Sequence, residues 1–354
     1  AARALADGAA PRLRPPRDGA ALTAARRFAG AIAPGRRRTS YSTLTADRAG
    51  RPADSEAVRD HDAEADAADA SYGLAGEVEA AAGAAPAAIG LEAAVGLPAT
   101  VPLDAFPAGA DPGTCLHAVF ERIDFQAPDG WPAVVVDACR RAGLAEPAAR
   151  LLGDALPGIV ATPLRDGPDG FALADIGRGV RLNEMPFVLP LAAGDAAAPL
   201  APAALAGALA ADGDDGLPAG YANAVGRLGF AAVRGHLSGY VDMVARVGER
   251  WYIFDWKSNR LGATFDDYTP ARIAAAMAHH HYHLQYLLYC VAVRRYLTRR
   301  VPGFRHADHF GGVCYLFVRG LDPRHGPRRG VFFARPSSAC LDRLDAVLDG
   351  RADR

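Results

Sequence analysis

The sequence predicts a mixed α/β domain, a small mixed sheet flanked by helices, laid out as helix, three strands, helix and strand. Three observations carry this. A helical period opens at DPGTCLHAVFERI (111–123), three strand-like runs lie between residues 183 and 258, and a long apolar helix pattern at 281–300 is followed by one further strand.

In the first helix, Leu116 and Phe120, then Val119 and Ile123, fall at i, i+4 spacing after Pro112 and Thr114. NEMPFVLPL (183–191) is a short apolar run led by an acid, HLSGYVDMVARV (236–247) alternates in part, and RWYIFDWKS (250–258) is rich in aromatic and β-branched residues. The last two are separated only by Gly248 and Glu249, which suits a tight hairpin. In HYHLQYLLYCVAVRRYLTRR, Leu284, Leu287, Leu288 and Val291 repeat at i, i+3, i+4, i+7, and GGVCYLFVRG (311–320) follows after a turn at Pro302 and Gly303. The Ala/Gly/Asp-rich stretch at 192–220 reads as a surface excursion between strands.

Composition divides the rest. Residues 1–38 are rich in Arg, Pro and Ala and read as a flexible tether; 39–110 form a linker that holds the island TSYSTL (39–44) and a low-complexity Ala/Asp segment; 111–345 form the folded domain. With 354 residues, 50% of them hydrophobic, a sizeable core is available, and a net charge of −1 excludes a bulk cationic field, so contacts with a polyanion must rest on local arginines. The five cysteines are widely spaced with no C-x-x-C pair, which predicts reduced thiols, a cytoplasmic setting and neither a disulfide frame nor an iron–sulfur site. No apolar run is long enough to span a bilayer and no signal-peptide pattern is present, so no membrane association is expected. Of the 39 Lys and Arg residues a single one, Lys257, is lysine, and it sits in no phosphate loop of the G-x-x-x-x-G-K-[ST] kind.

That lysine marks the chemistry. Strand alternation points Asp255 and Lys257 to one face and Trp256 to the other, and the hairpin places Asp242 roughly opposite Asp255. Two converging carboxylates repel unless a cation sits between them, which suggests a hard, oxygen-seeking ion such as Mg²⁺, with His117 and Glu121 on the first helix as further ligands. A compact ammonium beside such a centre can orient water and offset charge on a phosphoryl oxygen, which a broad guanidinium cannot do in the same space. Each signal also has a plain structural reading. D-x-K recurs on strands by chance, His117 alone suits a partly buried helix residue, Gln285 and Tyr289 suit the polar rim of a packed helix, and YLFVRG suits a core strand ending in a solvated arginine. HHHYH (279–283) suits the exposed start of a helix rather than a metal site.

Taken in order, GTCLHAVFE, GYVDMV, FDWKSNRLG, HLQYLLYCVAVRRYL and GGVCYLFVRG resemble the RecB-type nuclease domains of exodeoxyribonuclease V, within the PD-(D/E)xK superfamily. The resemblance covers about residues 111 to 335, and TSYSTL resembles the S-Y-S-x-L element that precedes such domains. It implies a restriction-endonuclease-like αβββαβ core and a Mg²⁺-dependent DNA nuclease acting in double-strand break repair and recombination. It implies metal ligation by His117, Asp242, Asp255 and the backbone carbonyl of Trp256, catalysis by Lys257, a Q-x-x-x-Y pair at Gln285 and Tyr289 near the active site, and accessory acids at Glu121 and Glu184. Implied partners are DNA, RecC-like and RecD-like subunits and a RecB-type helicase motor, which this chain lacks. Tryptophan stands at 256 where the family most often has tyrosine. An AddA-type or free-standing nuclease, or a non-cutting module that binds DNA or docks partners, remains an alternative at this point.

Overall fold

The computed structural model describes residues 36–46, 99–192, 197–210 and 216–351. The tether and the low-complexity linker therefore lie mostly outside the described residues, in 1–35 and 47–98. In chain order the elements are β1 (Arg36–Thr39), α1 (Tyr41–Thr45), α2 (Ala110–Arg122), α3 (Trp131–Arg141), α4 (Glu146–Ala161), β2 (Arg181–Leu191), α5 (Pro202–Ala210) and α6 (Tyr221–Gly226), followed by β3 (Arg234–Val247) and β4 (Arg250–Lys257). They continue with α7 (Pro270–His279), α8 (Tyr282–Arg300), α9 (His306–His309), β5 (Phe310–Phe317), β6 (Val331–Ala334) and α10 (Ser338–Leu348). The expected core order is present as α2, β2, β3, β4, α8, β5. The first helix starts at Ala110, with Pro112 inside its first turn, where a missing N–H costs no intrahelical bond.

The sheet runs β1-β3-β4-β5-β6, with β2 also on β3. β3 is the longest strand and everything hangs on it. β2 lies antiparallel along one edge, from Gly235 to Ala245. The opposite edge is shared by two strands: β1, parallel, at Arg234 to Leu237, and β4, antiparallel, at Met243 to Val247. The sheet thus forks between Leu237 and Met243, and Asp242 lies in the fork. β4 and β5 pair in parallel, with α7 and α8 in the connection between them.

Two apolar layers enclose the sheet. On one face, residues of β2, β3, β4 and β5 such as Phe187, Leu237, Ile253 and Tyr315 pack with α8; on the other, Phe254, Trp256, Cys314 and Leu316 pack with α2, α3 and α4. α8 is buried around its whole circumference from Tyr282 to Val293, as expected of a helix running through a core rather than over it.

The structure corrects four sequence readings. Residues 36–38, assigned to the tether, form a strand with Thr39, because β3 offers them a free edge. The folded domain begins before residue 111: Val101, Leu103 and Phe106 are buried, and the Val101 N–H donates to the Ala263 carbonyl. The stretch 192–220 is not only a surface excursion, since Leu200, Leu205 and Leu209 enter the α8-side core; alanine-rich composition hid an apolar face. HHHYH is an exposed helix start only in part: His279 is exposed and His280 and His281 are half-buried, but Tyr282 and His283 are buried. His283 is 1% exposed, with its ring edge-on to Tyr221 and Phe332.

Burial, with the nearby His281 charge, pulls the His283 pKa down to about 4. The unfolded chain binds this proton near pH 6.5 and the folded chain does not, so the resulting stability is present above pH 6.5 and lost as pH falls towards 4. Thermal unfolding followed from pH 7 to pH 4.5 should show a steady loss of stability, of up to about 3 kcal/mol from this group. His283→Phe should flatten the slope, and an unchanged slope would show that other groups carry it.

Candidate active site

Asp242 owes its position to a break in the strand alternation. Met185 and Val241, paired across β2 and β3, both enter the α8-side core, yet Met243, two residues on, enters the opposite layer. Alternation therefore slips at Asp242. Counting along the ladder, its partner on β2 is Glu184, which adopts φ +48, a left-handed conformation costly for a residue with a Cβ. The slip turns Asp242 towards β4, where its Oδ2 accepts the Trp256 backbone N–H at 2.8 Å.

Four ionisable groups meet at this point: Lys257 is 0% exposed, Asp255 2%, His117 3% and Asp242 6%. The Lys257 ammonium lies 2.8 Å from Asp255 Oδ2 and donates to Gln285 Oε1 at 3.0 Å. It also stands 3.7 Å from the Tyr282 ring centre and 5.0 Å from that of Tyr315. A carboxylate, an amide oxygen and two aromatic faces thus close around one small cation. His117 reaches the group from α2, with Nδ1 3.4 Å from Asp242 Oδ2. Burial pushes the Asp242 carboxyl up, but the charge and hydrogen bond of His117, the Trp256 N–H and the Lys257 charge outweigh it and hold the carboxyl below its ordinary value.

Two carboxylates and an imidazole are a fitting donor set for a divalent ion. Two atoms at right angles on an ion about 2.1–2.4 Å away are about 3.0–3.4 Å apart, the separation His117 and Asp242 show. Among the described residues, no three His, Cys, Asp or Glu side chains close around one point. Asp255 is drawn to Lys257 instead, so ion binding calls for that carboxylate to be shared.

A profile of the PD-(D/E)XK nuclease superfamily matches residues 86–349. The chain belongs to that superfamily. Within it the nuclease domain is of RecB type. It is 36% identical over 245 residues to the RecBCD enzyme subunit RecB of Escherichia coli, covering 69% of this chain and 20% of that protein. It is 38% identical over 339 residues to the RecB subunit of Mycobacterium tuberculosis, covering 88% of this chain and 28% of that one, and 34% identical over 243 residues to that of Haemophilus influenzae. The chain thus spans 19% to 28% of the length of these relatives.

The other expected site residues of the nuclease domain divide. Gln285 and Tyr289 are not a polar rim: each is 1% exposed, and Gln285 accepts from both Lys257 and Tyr315 while its amide donates to Tyr289 at 3.3 Å. Trp256 turns its side chain away, stacked on Phe120 at 4.6 Å. Glu184 faces Asp242 by register. The Glu121 carboxyl makes no hydrogen bond or ion pair with the group among the described residues; the Asn183 side chain bonds the Glu121 carbonyl. No described helix is long and apolar enough to cross a membrane.

Sequence reasoning missed three supports. Tyr282 and Tyr315 wall the lysine cage, although Tyr282 reads as part of an exposed helix start and Tyr315 as part of a core strand. Tyr41, from TSYSTL, is buried and donates to the His280 carbonyl at 2.8 Å, which fixes the turn that launches α8 and so places Gln285. Arg319 is the third, and here the solvated-arginine reading is wrong: it is 1% exposed. It donates to the carbonyls of Ser258, Leu103, Phe106 and Pro107 at 2.6–2.8 Å, tying the end of β5 to the residue after Lys257 and to the segment before α2. Arg319→Met should lower unfolding free energy by about 3 kcal/mol or more in urea titrations, since several buried carbonyls lose donors at once. Arg319→Lys should recover only part of it, because an ammonium cannot span four acceptors.

Proposed function

We propose that this domain is a Mg²⁺-dependent nuclease that hydrolyses phosphodiester bonds of DNA, working within a RecBCD-type assembly in double-strand break repair and recombination. The observation that carries the reading is the buried Lys257 ammonium, locked between Asp255 and Gln285 beside Asp242. Asp242, Asp255, His117 and the Trp256 carbonyl would hold the ion. When bound, Mg²⁺ supplies electrophilic activation of the phosphate and acidifies a bound water. Lys257 holds positive charge where negative charge grows on the phosphoryl oxygens and orients the attacking water. Gln285 keeps the ammonium in place, and Tyr289 and Tyr315 in turn hold the amide.

The relatives named as RecBCD subunits support RecC-like and RecD-like partners and a RecB-type helicase motor. The intact Asp, Asp, Lys and His set favours a cutting enzyme over a module that only binds DNA. Whether the motor is part of the same polypeptide or a separate one does not alter the site chemistry. The Gln285–Tyr289 helix and the β5 strand that follows it favour a RecB-type over an AddA-type nuclease, in line with the relatives named RecB.

Single-stranded DNA incubated with the protein should be degraded with Mg²⁺ and spared with EDTA. Asp255→Ala and Lys257→Arg should each slow cutting by about 100-fold or more, with thermal melting run alongside to show that the variants fold. Equal cutting by wild type and both variants would overturn the assignment.

A further inference from the structure

The layer of α2, α3 and α4 covers its sheet face where Met243 and Ala245 of β3, Tyr252, Phe254 and Trp256 of β4, and Cys314 and Leu316 of β5 lie. Beyond the slip at Asp242, no described residue of the N-terminal half of β3 joins that layer, although Ser238 is itself buried. Arg36 and Arg38 of β1 pair with Arg234 and His236 of β3, so their side chains share one face, while the alternate Thr39 and Leu237 are buried. Arg36, Arg38 and His236 are exposed and Arg234 half-buried. Arg38 Nε donates to Ser238 Oγ at 2.8 Å, which lays the guanidinium along β3 on that face. Next in the same file comes the half-buried Tyr240, and then Asp242. Beside them on β2, Val188, paired with Ser238, is 60% exposed.

The charge of this face is one-sided. The paired stretches 36–39, 185–191 and 234–241 hold no Asp or Glu. From Arg234 to Asp242 is eight residues, about 26 Å at strand rise, so the cations lie several nucleotides from the metal ligands. A polyanion that also offers flat rings fits such a surface: arginine forks take phosphate oxygens, and a tyrosine takes a base face.

Resting on the nuclease reading above, we propose that this open face of β1, β3 and β2 is the platform along which a single DNA strand reaches Asp242, with Arg36, Arg38 and Arg234 on its phosphates and Tyr240 under a base. The segment before the catalytic domain is then part of the substrate path, held there by its pairing with β3.

Binding of a fluorescent single-stranded oligonucleotide, measured over a range of salt concentrations without divalent metal, tests this on the whole chain. Each phosphate contact removed should reduce the slope of log K against log salt by about 0.7, so Arg36→Gln with Arg234→Gln should reduce it by about 1.4. Tyr240→Ala should weaken binding about tenfold. In Mg²⁺ the double variant should raise KM on long strands more than on a dinucleotide, whereas Arg150→Gln, a surface change on α4, should do neither. Normal folding with an unchanged slope and unchanged KM overturns the platform and leaves the face to a protein neighbour. If wild type cuts and Lys257→Arg does not, that failure concerns the platform alone; if wild type neither binds nor cuts DNA, the nuclease reading falls with it.

Discussion

A buried ammonium is costly unless everything around it answers its charge, and Lys257 sets that condition for the whole domain. Its partners come from separate parts of the chain. Asp255 shares its strand, Gln285 and Tyr282 arrive on α8, and Tyr315 arrives on β5. The parallel pairing of β4 and β5 brings Asp255 level with Tyr315 and Lys257 level with Phe317. Burial of α8 on all sides follows from the same need, since a helix lying across the surface could not bring a glutamine to a fully enclosed cation.

The second constraint is the fork in the sheet. A continuous ladder would hydrogen-bond both edges of β3 along its length and leave no place for a side chain to turn inward. Because β1 and β4 divide one edge between them, the residues between Leu237 and Met243 escape that pairing, and the slip at Asp242 becomes affordable. Strain at Glu184 is the local cost, absorbed by a ladder with β2 that resumes on either side.

Legibility in the sequence followed periodicity. α2, α8, the hairpin and β5 each repeat apolar residues at a helical or strand period, and the D-x-K spacing alone put Asp255 and Lys257 on one face. What periodicity cannot report is a contact between distant segments. Nothing in TSYSTL announces that Tyr41 will pin the turn before α8, and three arginines read as solvated tether until β3 supplies an edge. His283 was misread because a run of histidines looks polar, whereas a neutral imidazole among aromatic rings buries well.

Lys257 and Arg319 together explain why a chain that otherwise uses only arginine keeps one lysine. Both cations are buried, and they adjoin: Arg319 bonds the carbonyl of Ser258, the residue after Lys257. Around Arg319 the acceptors include four carbonyls from two stretches of chain, fanned out as the donors of a planar guanidinium are fanned out. Around Lys257 stand one carboxylate, one amide oxygen and the faces of two rings, surroundings that suit a compact charge better than a planar fork. A compositional drift towards arginine can replace a lysine wherever the head group lies in water, because water adapts to either shape. Inside the protein the surroundings are fixed, so each position selects its own head group, and the drift stops at the cage.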